Sequence, residues 1–257
     1  MRQDSRLTFK MRVSAAIAGA TALLAATAGA VSADTVGPAI KYFQAPLPII
    51  GSTLSDSSGA PSISLKDGWS INDGDGVCSA STRLYRSNLG YTYPWSYSGT
   101  PTTTSVASKY TWTSKIGAWD ELYTTARDCL GNTSYGYDYV QSSLQQEGAA
   151  SYGPGWSTAA CSCWSGGAVM KSSTVGATAN YTFSGRLVSL VSNRETNRGQ
   201  VSLSLDGGPA TTVSLSGSNL NRRIVWNSKY LSTAGSHLLT IKVVSGRVDI
   251  DGFITQY

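Results

Sequence analysis

Histidine is nearly absent: the 257 residues contain one, His237. Charged residues make up only 14% of the chain, cysteine occurs four times and methionine three times. Each scarcity closes a class of function. A Ser–His–Asp hydrolase takes its base from histidine, and His237 is the only candidate. It follows the turn Ser232-Thr-Ala-Gly235 and opens an apolar run, Leu238-Leu-Thr-Ile-Lys-Val-Val244, so it reads as a strand residue. A zinc site needs paired Cys/His ligands; one histidine and no Cys-x-x-Cys pair do not supply them. No dense Lys/Arg stripe is present, which argues against nucleic acid as a partner. Beyond Ala33 no segment is apolar enough to span a membrane.

The N-terminus is the exception to the low charge. Arg2, Arg6, Lys10 and Arg12 precede an uncharged run from Val13 to Ala33, which ends Val31-Ser32-Ala33 before Asp34. Basic start, short apolar stretch and small residues before a cut make a secretion signal over 1–33. The run is rich in Ala and Gly and would hold a bilayer poorly as an anchor. Met11 is an alternative start to Met1. The full chain has a formal charge of +5, but beyond Ala33 sixteen bases face fourteen acids, so the exported remainder carries about +2. The expected location is extracellular, without a membrane association after cleavage. An oxidising compartment permits disulfides among Cys78, Cys129, Cys161 and Cys163. Three pairings are possible. Cys161 and Cys163 sit too far apart in an extended strand to bond, so a bond there needs a local turn.

Residues 34–60 carry turn formers such as Gly37-Pro38, Pro46 and Pro48, and read as an extended leader. From Pro61 onward the chain reads as short strands separated by Gly, Asn, Asp and Pro, with no good helix. The expected strands of the first half are 62–70, 79–86, 91–97, 103–112, 120–127 and 134–140. Those of the second half include 167–172, 177–183, 186–192, 200–206, 210–215, 222–227, 237–244 and 247–256. Val201 to Leu215 is the clearest hairpin, with Asp206-Gly207 suited to the positive φ angles of a tight turn. Length and pattern give an all-β protein of two tandem antiparallel sandwiches, 61–143 and 144–257, with the boundary between Gln141 and Gly148.

The aromatic pattern is the most suggestive. Tyr91, Tyr93, Trp95 and Tyr97 alternate, and so do Tyr135, Tyr137 and Tyr139. Each set would line one face of a strand. Such faces suit stacking on sugar rings, while cross-strand packing is the structural alternative. Tyr152, Trp156 and Trp164 surround Gly153-Pro154-Gly155 and are further candidate contacts. Most acids sit in turns; Asp249 and Asp251 lie two apart on one expected strand with Arg247 as their nearest partner. Asp73-Gly-Asp75-Gly lacks the downstream acids of an EF-hand and reads as a plain turn.

The series Trp164-Ser-Gly-Gly, Ala177-Thr-Ala-Asn-Tyr-Thr-Phe-Ser-Gly185, Asn197-Arg-Gly199, Leu205-Asp-Gly207, Gly235-Ser-His-Leu-Leu-Thr-Ile and Arg247-Val-Asp-Ile-Asp-Gly-Phe253 resembles the galactose-binding and carbohydrate-binding jelly rolls of secreted bacterial proteins. Trp69 to Val77 and Leu122 to Asn132 resemble two strand-and-turn units of a fibronectin type III-like sandwich. In that fold both turns lie at one end, which implies a Cys78–Cys129 disulfide. The jelly-roll resemblance also implies a structural calcium between a last-strand Asp and Glu147; a salt bridge to Arg247 competes with it. The expectation is a non-catalytic binding protein without a cofactor, holding a polysaccharide or cell-envelope glycan through Tyr91, Tyr93, Trp95, Tyr97, Tyr152 and Trp156. The alternative is an extracellular structural or adhesive component that binds other exported proteins.

Overall fold

Ser, Thr, Val and Tyr alternate with larger apolar residues through most of the chain, a period-2 pattern that leaves helices no continuous apolar stripe. The computed structural model describes residues 34–55, 61–87 and 90–257, and only the backbone of 43–45, 91, 93 and 94. The signal segment 1–33 lies outside the described residues. The strands of the first half are β1 (Ala39–Pro48), β2 (Ser62–Asn72), β3 (Val77–Arg86), β4 (Gly90–Ser98), β5 (Ser105–Lys115), β6 (Trp119–Asp128) and β7 (Thr133–Gln146). The second half contains β8 (Ser151–Tyr152), β9 (Ser157–Ala160), β10 (Ala168–Ser172), β11 (Thr178–Gly185), β12 (Leu187–Arg194) and β13 (Gln200–Leu205). It continues with β14 (Thr211–Ser214), β15 (Leu220–Asn227), β16 (Gly235–Ser245), β17 (Val248–Ile250) and β18 (Gly252–Gln256). The fold is all-β and antiparallel. Among the described residues no helix is long and apolar enough to cross a membrane.

One sheet runs through both halves. Its seven strands lie in the order β15-β12-β18-β7-β6-β3-β4. The three-stranded sheet β1-β2-β5 faces the first half, and the five-stranded sheet β14-β13-β16-β11-β8 faces the second; β17-β10-β9 form a small third layer. The 143/144 boundary expected from sequence falls inside β7, where Ser142 to Gln146 pair with Gln256 to Gly252 of β18.

The cores explain the join. Val188, Leu190 and Phe253 enter a core with Tyr181, Leu203, Leu239 and Ile241 of the five-stranded sheet. Val191, Ile224 and Ile254, from β12, β15 and β18, enter a different core with Leu65, Leu84, Trp112 and Leu122, while Val225 of β15 joins the first. Alternation along β12, β15 and β18 therefore sends side chains into cores on opposite faces of one sheet. Seven of the eight β12 residues and all five of β18 are buried. Such double burial is usual for parallel sheets and uncommon for antiparallel ones, which often leave a face to water.

Three sequence expectations change. The leader is a paired strand: Ala39 to Pro48 runs against Asn72 to Leu65. Its continuation spans both halves, since Gly51 N donates to Ile224 O and fully buried Leu54 sits in the joint core. The single strand expected at 247–256 breaks at Asp251, so that β17 pairs with β10 and β18 with β12 and β7. Ser157–Ala160 forms β9, a strand with no pattern in sequence. The β13–β14 hairpin stands as expected, with Asp206 at φ 51° and Gly207 at φ 71°.

Ile254→Ala should lower unfolding free energy by about 2–5 kcal/mol in urea titration, because a buried isoleucine leaves a cavity in the joint core. Residues 34–143 and 144–257 produced separately should each lack dispersed amide NMR signals, since the cut splits β7 and parts it from β18.

Candidate functional site

The outer face of β3, β6 and β7 is aromatic. β7 alternates exposed and half-buried positions, and Tyr135, Tyr137 and Tyr139 take the exposed ones at 58%, 51% and 47% exposure. In β6, Leu122, Thr124 and Ala126 point inward, so Trp119, Glu121 and Tyr123 point out. In β3, Leu84 is buried between Arg83 and Tyr85. Register brings these positions together: Tyr123 lies opposite Tyr137, Tyr139 opposite Glu121, and Arg83 opposite Tyr123.

The rings form a continuous row. Tyr135 stacks on Tyr123 with centroids 5.8 Å apart, and Tyr123 meets Tyr137 at 4.8 Å. Tyr137 and Tyr139 are parallel to within 3° at 6.3 Å. Tyr139 stacks on Trp119 at 5.6 Å, and Trp119 meets Tyr85 edge-on at 5.8 Å. The Arg83 guanidinium lies over Tyr123, 4.3 Å from its centroid. Contacts between rings fix them without burying them, so apolar faces and hydroxyl tips remain open to water.

The first ladder is placed differently. Half-buried Trp95 meets fully buried Trp69 edge-on at 4.4 Å and stacks on Tyr97 at 6.0 Å. Both pack against the Trp69, Ile71, Val77 and Ala80 core. Pairing of Thr82 with Trp95 and of Leu84 with Thr92 leaves Tyr93 and Pro94 opposite Arg83 alone. That bulge of one residue breaks the alternation on which a four-membered ladder depends. The side chains of Tyr91 and Tyr93 lie outside the described residues. Tyr152 and Trp156 touch at 5.3 Å and pack against the second core, with the Tyr152 hydroxyl donating to Glu147 O at 2.6 Å. Trp164 is 9% exposed. Trp119, Tyr123 and Tyr85 were not singled out from sequence; the signal was alternation of Trp119 and Tyr123 with the inward Leu122 and Thr124.

His237 Nδ1 lies 2.8 Å from Asp206 Oδ2, and Asp206 Oδ1 accepts from Leu238 N at 2.8 Å. The amide bond, ahead of His237, holds the Asp206 carboxyl below its usual range. A triad would need a hydroxyl at Nε2, but that atom is buried without a hydrogen-bond partner. Asp249 is fully buried and is gripped by Arg198 and by Arg247 Nε at 2.8 Å, the latter being the partner expected from sequence. Asp251 departs from it. Its Oδ1 accepts from Ser165 N at 2.9 Å, and burial pushes its carboxyl up to about 7.

Cys78 and Cys129 are bonded with Cα atoms 4.9 Å apart, and Cys161 with Cys163 at 5.1 Å. The second bond uses the turn that the spacing requires: Cys161 O accepts from Trp164 N at 3.1 Å. Beside the first, carboxyl oxygens of Asp34, Asp73 and Asp128 lie within 4.8 Å of one another. Asp128 is committed to the turn: Leu130, Gly131 and Asn132 amides all donate to its Oδ1. Burial acts to raise this carboxyl, and those donors with Asn132 hold it below its usual range. Asp75 N donates to Asp73 Oδ1 at 2.8 Å, the plain turn read from sequence. Other buried carboxyl and amide oxygens have no hydrogen bond. Asp251 Oδ2, Glu147 Oε2 and Gln146 Oε1 are buried oxygens without hydrogen bonds, and the Glu147 charge acts on Asp251. Oxygen donors of this kind are the ligands that hard cations such as calcium take.

No family model matches the chain, and no curated protein matches it. Among solved structures, it is similar to a CBM35 module from Cellvibrio japonicus, with 17% identity over 46% of this chain and 96% of that one, at a TM-score of 0.34. A family two carbohydrate esterase from Cellvibrio japonicus aligns with 14% identity over 46% of this chain and a TM-score of 0.35. This chain spans 34% of that esterase's length. An exo-beta-1,3-galactanase from Phanerochaete chrysosporium aligns with 12% identity over 82% of this chain and 69% of that one, at 0.38.

The two ladders should respond oppositely to truncation. Trp95→Ala should cost about 3 kcal/mol in denaturant unfolding, as a large ring leaves the core beside Trp69. Tyr137→Ala, at an exposed position, should change stability by about 1 kcal/mol or less.

Proposed function

We propose that the chain is an exported, non-catalytic carbohydrate-binding protein that holds a polysaccharide on the row Tyr135, Tyr123, Tyr137, Tyr139, Trp119 and Tyr85. The observation that carries this reading is the row itself: six rings in unbroken contact, four of them with substantial exposure. Along β7 it extends about 13 Å at the usual strand rise. A row, unlike a pocket, suits an extended chain of sugars, with ring C–H faces on the aromatic faces and hydroxyls toward phenol tips and Arg83. The basic and apolar segment before Asp34 and the two disulfides support export. The partnerless His237 Nε2 and the commitment of Asp249 and Asp128 to structure support a role without catalysis. The arrangement of β1-β2-β5 over β4-β3-β6-β7 supports the fibronectin type III-like reading of the first half. Glu147, Gln146 and Asp251 would hold a structural calcium, whose charge would satisfy the buried oxygens.

Retention of the processed protein on insoluble glycans such as cellulose, chitin and peptidoglycan tests the main reading. Tyr137→Ala combined with Tyr139→Ala should lower retention at least about tenfold, the equivalent of about 1.4 kcal/mol, with an unchanged melting temperature. Binding to exported proteins that soluble glycans do not compete for would favour the adhesive alternative, and wild-type retention by the double variant would overturn the row. For the metal, millimolar calcium should raise Tm by about 5 °C over the chelator-treated protein, and Asp251→Asn should abolish that rise.

A further inference from the structure

Directly behind the ring row lies a pair of acids that the glycan reading does not use. Asp138 sits between Tyr137 and Tyr139 in β7, at a half-buried position of the inward-facing set. Across the sandwich, Asp67 takes a place in the inward line Ile63, Leu65, Asp67, Trp69, Ile71 of β2, with 2% exposure. Asp138 pairs with Leu122, whose carbonyl the Tyr42 hydroxyl of β1 reaches at 3.4 Å, and Asp67 pairs with Tyr110; this places the two carboxyls within reach of one shared hydrogen bond. Gly68 N donates to Asp67 Oδ1 at 2.6 Å, the Tyr110 hydroxyl to Oδ2 at 3.3 Å, and Tyr139 N to Asp138 Oδ1 at 2.9 Å. Ionised carboxylates only accept, so a bond between two of them requires one proton.

The surroundings favour keeping that proton. β1 contributes Tyr42, whose hydroxyl bonds Thr124 of β6 at 3.2 Å, and β5 contributes Tyr110; burial raises both phenols, so they stay neutral. Among the described residues no cation acts on either carboxyl, and Lys41, Lys66 and Lys109 on the neighbouring strands are exposed. Burial, then the Asp138 charge, pushes Asp67 up to about 8, while burial pushes Asp138 up to about 6. Close packing supports the contact: a Cβ on Gly136 would come within 2.9 Å of Ile40 Cγ2, so glycine there lets β1 close over β7.

We infer that Asp67 and Asp138 form a one-proton latch between the two sheets of the first sandwich, and that loss of this proton loosens β7 and releases glycan from the row. The latch concerns the structure of the sandwich; its effect on glycan rests on the function proposed above. The sign follows from linkage. Folding raises Asp67 above its ordinary value of 3.8, so the folded chain keeps a proton that the unfolded chain has lost. The stabilisation is therefore greatest near pH 4, declines as pH rises, and is gone above about 8.

Thermal unfolding and glycan retention from pH 5 to 9 test this on wild type, Asp67→Asn and Asp138→Asn. Either amide can donate to the remaining carboxylate without titrating. Wild-type Tm should fall between pH 6 and 9 by about 5 °C more than that of Asp67→Asn, and its retention should drop at least about tenfold while the variant's holds. Should Asp67→Asn fail to fold, Asp138→Asn supplies the same comparison. Parallel Tm curves for wild type and the folded variant would overturn the latch. A divergent Tm with pH-independent retention would overturn its control of the row. Divergent Tm with no retention at any pH would overturn the glycan reading and leave the latch standing.

Discussion

The protein depends on one sheet that must be apolar on both faces at one end and on one face at the other. β12 and β18 are buried above and below, because cores of two sandwiches meet across them. The hydrophobic contribution of such strands is counted twice, once for each face removed from water. The same sheet at β6 and β3 has an inner face only. Its outer face is free, and that is where the ring row lies.

This arrangement separates the rigid core from the exposed ring row. The rings of Tyr123, Tyr137 and Trp119 stand on strands whose opposite side chains, Leu122 and Val140 among them, are locked in the joint core. A binding surface on strands rather than loops loses little conformational freedom when a ligand arrives. It also explains why the deeper concavities lie elsewhere. A cleft of about 380 Å³ lies between the β13–β14 hairpin and Trp226, and one of about 260 Å³ lies beside Tyr181 and Tyr257.

Strands were legible in the sequence where alternation was clean. The expected 120–127 and 200–206 match β6 and β13 to within a residue or two. The Asp206-Gly207 turn was legible because its backbone geometry restricts the residue types. Pairing partners at long range were not. Nothing local in Gln141 to Gly148 reveals that a strand from residues 252–256 will join it, so the segment looked like a linker. Of the two aromatic ladders, sequence could not tell outside from inside. A single-residue bulge at Tyr93 and Pro94 alters β4, and neither residue announces it beyond the proline. Asp67 interrupts the line Ile63, Leu65, Trp69, Ile71 and was not singled out from sequence, and its partner Asp138 could be found only once the sheets were placed.

β18 lies inside the seven-stranded sheet, between β12 and β7, although it follows every other described strand in sequence. A nascent chain emerges N-terminus first, so β7 and β12 wait with open edges and exposed apolar faces until residues 252–256 are released. Contacts of this sequence separation are slow to form. The order of the strands thus delays closure of the joint core until β18 is in place.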